Sequence, residues 1–184
     1  METGGEEIRI LFVDDEPNIL SAMKRVFHYE NYTILTALSG MEGLDILERE
    51  HIHLVVSDYR MPSMNGVEFL AEVCKRWPHT VRIVLSGYAD TSAIIGAINK
   101  GQIYKFIPKP WNDEELKITI ATSIELYLLL KEKEELIDKL RTKNEELLNA
   151  NQDLKRRLEE KVHKDILDGP GRSAADIDAP GESK

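Results

Sequence analysis

Residues 53–66 read HLVVSDYRMPSMNG. The apolar run His53–Ser57 reads as a strand, and Asp58 follows it directly. Pro62-Ser-Met-Asn-Gly66 is then a turn cluster, and a helix is expected over about Val67–Arg76, ended by Trp77-Pro78. Three other apolar runs also lead into polar residues. Ile8–Val13 precedes Asp14-Asp15, Val81–Leu85 precedes Ser86, and Ile103–Ile107 precedes Lys109-Pro110. If the four strands lie parallel in one sheet, these polar residues emerge together at its carboxyl edge, where open α/β sheets bind ligands. Three carboxylates in one place repel each other and resist full ionisation. A divalent cation relieves that repulsion and favours hard oxygen ligands. A lysine and a hydroxyl suit an anion beside the metal, so the set points to moving a phosphoryl group onto a carboxylate.

Strand and helix signals alternate from residue 8 to 124, the pattern of an α/β domain with a parallel sheet. Helix one is expected from Pro17 to about Tyr29, because proline suits a first helical turn. Thr33–Ala37 is the second strand, and Ser39-Gly-Met-Glu42 has capping-box spacing for helix two. Asp90 can cap helix four and Gly101 can close it. Asn112-Asp-Glu-Glu115 starts helix five.

Helix five does not stop where the domain should end. No proline or glycine occurs from Glu114 to Lys164. Read in sevens, Leu126, Lys133, Leu140, Leu147 and Leu154 fall on d positions, and Leu130, Ile137, Asn144, Asn151 and Leu158 on a positions. This is a coiled-coil seam of about five heptads. A lone solvated helix would expose the whole leucine stripe. Asn144 and Asn151 sit at consecutive a positions, and only a parallel, in-register homodimer gives each an identical partner across the seam. The last segment, DGPGRSAADIDAPGESK, has almost nothing to bury and reads as disordered.

Composition narrows the function. The 184 residues carry a formal net charge of −9, which argues against non-specific binding to nucleic acid or to an anionic membrane. No apolar run approaches the roughly 18 residues of a membrane span, and the acidic start METGGEEIRI has no signal-peptide core. Cys74 is the one cysteine, so no internal disulfide forms; it is expected as a buried core thiol in a reducing cytoplasm. His51 and His53 are close but lack the spacing of a metal motif. Lys155-Arg156-Arg157 lies within the coil, whereas a zipper-type DNA binder carries its basic region before it, where this chain has WNDEEL.

At ILFVDDEP, VVSDYRMPSMNG, VLSG and FIPKPW the chain resembles the receiver domain of two-component response regulators, over about residues 7–124. The resemblance implies a doubly wound, five-stranded, flavodoxin-like sheet. It implies that Asp58 accepts a phosphoryl group from a phosphohistidine on a histidine kinase or phosphotransfer protein. Mg²⁺ would be held directly by Asp15 and Asp58, through water by Asp14, and by the backbone carbonyl of Arg60. Lys109, aimed by a Lys-Pro bond that is typically cis in this motif, would meet the phosphoryl group, and the Ser86 hydroxyl would bond one of its oxygens. Phe106 takes the place of the switching aromatic, with Tyr104 as its competitor on the same strand face. Arg60 and Tyr88, two residues beyond Asp58 and Ser86, would flank the attacking water and slow self-dephosphorylation. The expected chemistry is confined to the chain's own phosphorylation and hydrolysis. A Mg²⁺-dependent phosphatase of this type needs a second acid where Arg60 stands. The rival reading is a degenerate receiver serving as an unphosphorylated dimerisation scaffold; the intact set Asp14, Asp15, Asp58, Ser86 and Lys109 argues against it. The expected organisation is a disordered 1–6, a receiver over 7–124, a coiled coil over 125–165 and a disordered tail over 166–184. No output domain is expected within the chain, which would act through protein partners or precede an effector.

Overall fold

The computed structural model describes residues 7–87, 91–100, 102–167 and 169. The order is β1 (Ile8–Val13), α1 (Pro17–Val26), β2 (Tyr32–Ala37), α2 (Gly40–Arg49), β3 (Leu54–Asp58), α3 (Gly66–Arg76), β4 (Val81–Ser86), α4 (Thr91–Asn99), β5 (Lys105–Pro108) and α5 (Asp113–Leu167). The five strands form one sheet in the order β2-β1-β3-β4-β5, every pair parallel. This is the flavodoxin-like receiver fold, with the chain reversing direction across the sheet between β1 and β3.

The central strands are apolar on both faces because helices cover both. Side chains alternate along a strand, so Ile10, Phe12, Leu54, Val56, Ile83 and Leu85 pack with Met23 of α1, Phe27 just after it, and Leu116 and Ile120 of α5. Leu11, Val13, Val55 and Val84 point the other way, onto Leu47 of α2, Phe69 and Val73 of α3 and Ile94 of α4. None of the described helices is long and apolar enough to cross a membrane.

Local signals explain most helix starts. Ser39 Oγ accepts the Glu42 N–H at 3.2 Å, while the Glu42 carboxylate reaches back to the Leu38 N–H at 2.7 Å, one residue beyond a capping box. The full capping box lies instead at α3, where Asn65 and Glu68 exchange bonds of 3.0 Å. Asn112 Oδ1 accepts from the N–H groups of Glu114 and Glu115 at the start of α5.

Several expected bounds move. α1 ends at Val26, with Phe27 as its C-cap at φ −99° and ψ 8°; the Phe27 ring packs near Phe12, ring centroids 5.6 Å apart. β3 begins one residue late and includes Asp58 as its last member, paired with Leu85. β5 starts at Lys105, where pairing with Ile83 begins; Ile103 is buried but lies outside the ladder. Cys74 is only partly buried, not a core thiol. It sits one position past Val73, at the edge of a helix face formed by Gly66, Phe69, Leu70 and Val73. Asp90 and Gly101, the expected cap and closure of α4, lie outside the described residues, as do Tyr88, residues 1–6 and most of the expected disordered tail.

The chain divides into two units, Met1–Lys133 and Glu134–Lys184. In the second, the described residues form continuous helix to Leu167, with every large apolar side chain exposed.

Candidate functional site

Parallel pairing brings the polar strand ends together. Asp14 follows β1 directly, Asp58 ends β3, Ser86 ends β4, and Lys109 follows β5. Donor oxygens of Asp14, Asp15 and Asp58 lie within 4.8 Å of one another, with Asp14 and Asp58 buried and Asp15 exposed. Lys109 Nζ lies 2.6 Å from Asp58 Oδ1 and 3.1 Å from Asp14 Oδ2. The second oxygen of Asp58 accepts the Arg60 N–H at 3.0 Å, and Asp14 Oδ1 accepts the Glu16 N–H at 2.9 Å. The Lys109-Pro110 peptide is cis, and the Lys109 N–H donates to the Ser86 carbonyl at 2.8 Å. The Ser86 hydroxyl is buried and donates to the Gly87 carbonyl at 3.0 Å.

The electrostatics are lopsided. Burial pushes the Asp14 carboxyl above its ordinary value, against the opposing pull of the Glu16 N–H and the Lys109 ammonium. Burial also works against the charge on Lys109, but the Asp58 and Asp14 carboxylates outweigh it and hold the ammonium above its usual value. One ammonium cannot balance three carboxylates. The cluster is an acidic pocket of the kind that takes a hard divalent cation, and its donor set, all carboxylate oxygen, fits Mg²⁺.

Two site features escaped the sequence. Gly66 starts α3 so close to the nucleophile strand that an added Cβ would stand 2.0 Å from the Asp58 carbonyl oxygen. Its place in an Asn-Gly turn gives the only signal, and that signal speaks of a turn rather than a close approach. Ser63, in the loop between, adopts φ 67°, rare for a non-glycine residue. The expected switch aromatics are both exposed: Phe106 lies on β5 and Tyr104 just before it. Phe106 lines a surface cleft of about 330 Å³ with Pro108, Pro110, Trp111 and Ile118. His51 and His53 lie before β3, at the opposite sheet edge from the acidic cluster. His51 Nε2 is 3.1 Å from the Tyr127 hydroxyl, and His53 Nδ1 accepts the Arg9 N–H.

Residues 10–121 match the family model of the response regulator receiver domain. The chain belongs to that family. It is 40% identical over 120 residues to the hydrogenase transcriptional regulatory protein HoxA of Cupriavidus necator, covering 65% of this chain and 25% of HoxA. The chain thus spans about a quarter of the length of such curated relatives. Among solved structures, one titled adenylate cyclase from Rhodopirellula baltica superposes with a TM-score of 0.70 at 32% identity, over 73% of this chain and 99% of that one. A response regulator receiver domain protein from Clostridium thermocellum gives 0.63 at 34% identity, over 67% and 98%.

Proposed function

We propose that this chain is a phosphorelay switch in which Asp58 accepts a phosphoryl group from a phosphohistidine of a histidine kinase or phosphotransfer protein. The observation that carries the reading is the position of Lys109 Nζ, 2.6 Å from Asp58 Oδ1 beside the three-carboxylate cluster. A carboxylate oxygen of Asp58 attacks phosphorus, the P–N bond breaks, and the imidazole nitrogen leaves with the bonding pair. Lys109 transfers its ammonium from the carboxylate to the new phosphoryl oxygens, and the Ser86 hydroxyl turns from the Gly87 carbonyl to a third oxygen. Mg²⁺, held by Asp14, Asp15, Asp58 and the Arg60 carbonyl, would neutralise charge building on the transferring group. Hydrolysis of the acyl phosphate by water resets the switch. The chain's own turnover is its only chemistry, so it is a regulator rather than an enzyme acting on other substrates.

The output we assign runs through α5, which belongs to the receiver core at Leu116 and Ile120 and continues as the leucine-striped helix. A parallel homodimer along that stripe would pass the receiver's state to a partner protein or a further domain. The names of similar proteins include transcriptional regulators and an adenylate cyclase, which supports an output beyond the receiver itself.

The test is incubation with acetyl phosphate, read by intact mass. The wild-type chain should gain one phosphoryl group with Mg²⁺ and none in EDTA, and Asp58→Asn should gain none. Labelling that survives Asp58→Asn would remove the assignment. No labelling of the wild type under any condition would favour the unphosphorylated scaffold.

A further inference from the structure

Between residues 134 and 167 the heptad reading leaves five large apolar side chains off its seam: Leu136, Leu148, Val162, Ile166 and Leu167, which are 50–72% exposed. Turning successive residues by about 100° gathers the first four of these, the five apolar seam residues from Ile137 to Leu158, and both seam asparagines into one arc of about 120°, which also holds Lys155 and Asp165, while Leu167 at the helix end falls on the opposite face. On a straight helix turning about 100° per residue, a heptad seam falls back by about 20° per repeat and an 11-residue repeat runs ahead by a similar amount. The two part at the end of the stripe: a heptad continued past Leu158 meets Lys161 and Asp165, whereas the 11-residue series Leu140, Asn151 and Val162 ends on an apolar side chain. Eleven residues in three turns wind at about 3.67 residues per turn, close to the undistorted helix.

We infer that residues 134–167 pair with a second copy of this chain through this 11-residue repeat, in a parallel, in-register, nearly straight coil that buries Leu148, Val162 and Ile166. The inference rests on the homodimer reading above and changes which side chains make the contact. Three observations select a second copy. Asn144 and Asn151 lie near the middle of the arc, where an identical residue at the same height can satisfy each amide. The edge of the arc at Lys143 and Lys161 is basic, whereas the other edge carries Glu134 and Glu159 alongside Arg141. Parallel pairing sets the basic edge against the mixed one; antiparallel pairing sets basic against basic. Nine apolar side chains on each of two copies would also remove on the order of 1,500 Å² from water, the size of a stable specific interface.

Neighbouring positions 161 and 162 separate the two seams. A heptad continued past Leu158 puts Lys161 on the contact line, whereas the 11-residue repeat puts Val162 there and Lys161 outside the arc. The experiment uses the full chain with Cys74→Ser and single cysteines introduced by Ile137→Cys, Lys161→Cys or Val162→Cys. Disulfide formation is followed under mild oxidation, since only facing positions have the required Cα separation. Ile137 lies on both seams and reports the dimer alone. The expected result is rapid cross-linking by Ile137→Cys and Val162→Cys, with Lys161→Cys at least about tenfold slower. Cross-linking by Ile137→Cys and Lys161→Cys but not Val162→Cys would restore the heptad and overturn the inference. Cross-linking by Ile137→Cys alone would also overturn it, by removing Val162 from the contact. No cross-link at position 137 and a monomer in light scattering would overturn the homodimer itself.

Discussion

Replacing Gly66 with alanine drives a methyl group into the backbone that carries Asp58. The new Cβ would stand 2.0 Å from the Asp58 carbonyl oxygen, 2.9 Å from its carbonyl carbon and 3.0 Å from Tyr59 Cα. Carbon atoms pack comfortably at about 3.5–4.0 Å, so the start of α3 and the end of β3 must part by more than about 1 Å. Neither can give cheaply. Asp58 is the last residue of a fully buried strand, in register with Leu85, and the Tyr59 N–H donates to the Leu85 carbonyl at 2.9 Å. Parting them also stretches the 2.9 Å bond from the Gly66 N–H to the Tyr59 carbonyl. Overpacking of this kind costs about 1–3 kcal/mol. A weakened buried backbone bond adds about 1 kcal/mol. The expected loss is about 3 kcal/mol, or a Tm lower by about 10 °C for a domain of this size. Urea unfolding followed by fluorescence of Trp77 and Trp111 measures it, with Gly96→Ala as the control. A Cβ at Gly96 meets nothing within 4 Å, so that change should be neutral or slightly stabilising. The same Gly66→Ala protein should accept phosphate from acetyl phosphate more slowly than wild type, because Asp58 moves with its strand end. A Gly66→Ala midpoint within about 0.5 kcal/mol of wild type would refute the close-approach argument.

Lys109→Met should destabilise the metal-free chain by about 2 kcal/mol near neutral pH, since it strips the charged hydrogen bonds from Asp58 and Asp14. Because the folded chain holds the Lys109 ammonium above the ordinary 10.5, its contribution is fully present below that pH and fades as pH rises through the folded value. The gap between wild type and variant should therefore shrink above about pH 10.5, and a gap that widens there would contradict the assignment. Replacing Arg60 with asparagine and Tyr88 with glycine should speed loss of phosphate severalfold, because arginine offers no acceptor to orient a water; decay at the wild-type rate, measured by intact mass over time, would end the shielding idea. Leu140→Asp with Leu147→Asp should give a monomer in light scattering that still labels at Asp58; a wild-type monomer at micromolar concentration would sink the dimer.

The strands, the helices and the polar residues that end the strands were legible in the sequence because their signals are local. The apolar runs Ile8–Val13 and Val81–Leu85 mark buried strands, and a proline at position 17 and an asparagine at 112 mark the helix starts beside them. The family text around Asp14-Asp15, Asp58, Ser86 and Lys109-Pro110 named the cluster, and the parallel sheet gathers it because every strand delivers its carboxyl end to the same edge. Other features depended on which distant segments meet. The bond from Lys109 to Asp14 spans 95 residues of chain, and no local rule sets its length or makes Lys109 bridge two carboxylates at once. The bound of β5 depends on where Ile83 begins to pair, and the exposure of Cys74 on which arc of α3 faces the sheet. The need for glycine at 66 comes from a strand end that happens to lie 2.0 Å from where a side chain would start. Periodicity says that a residue faces inward, but only packing says how much room it finds there.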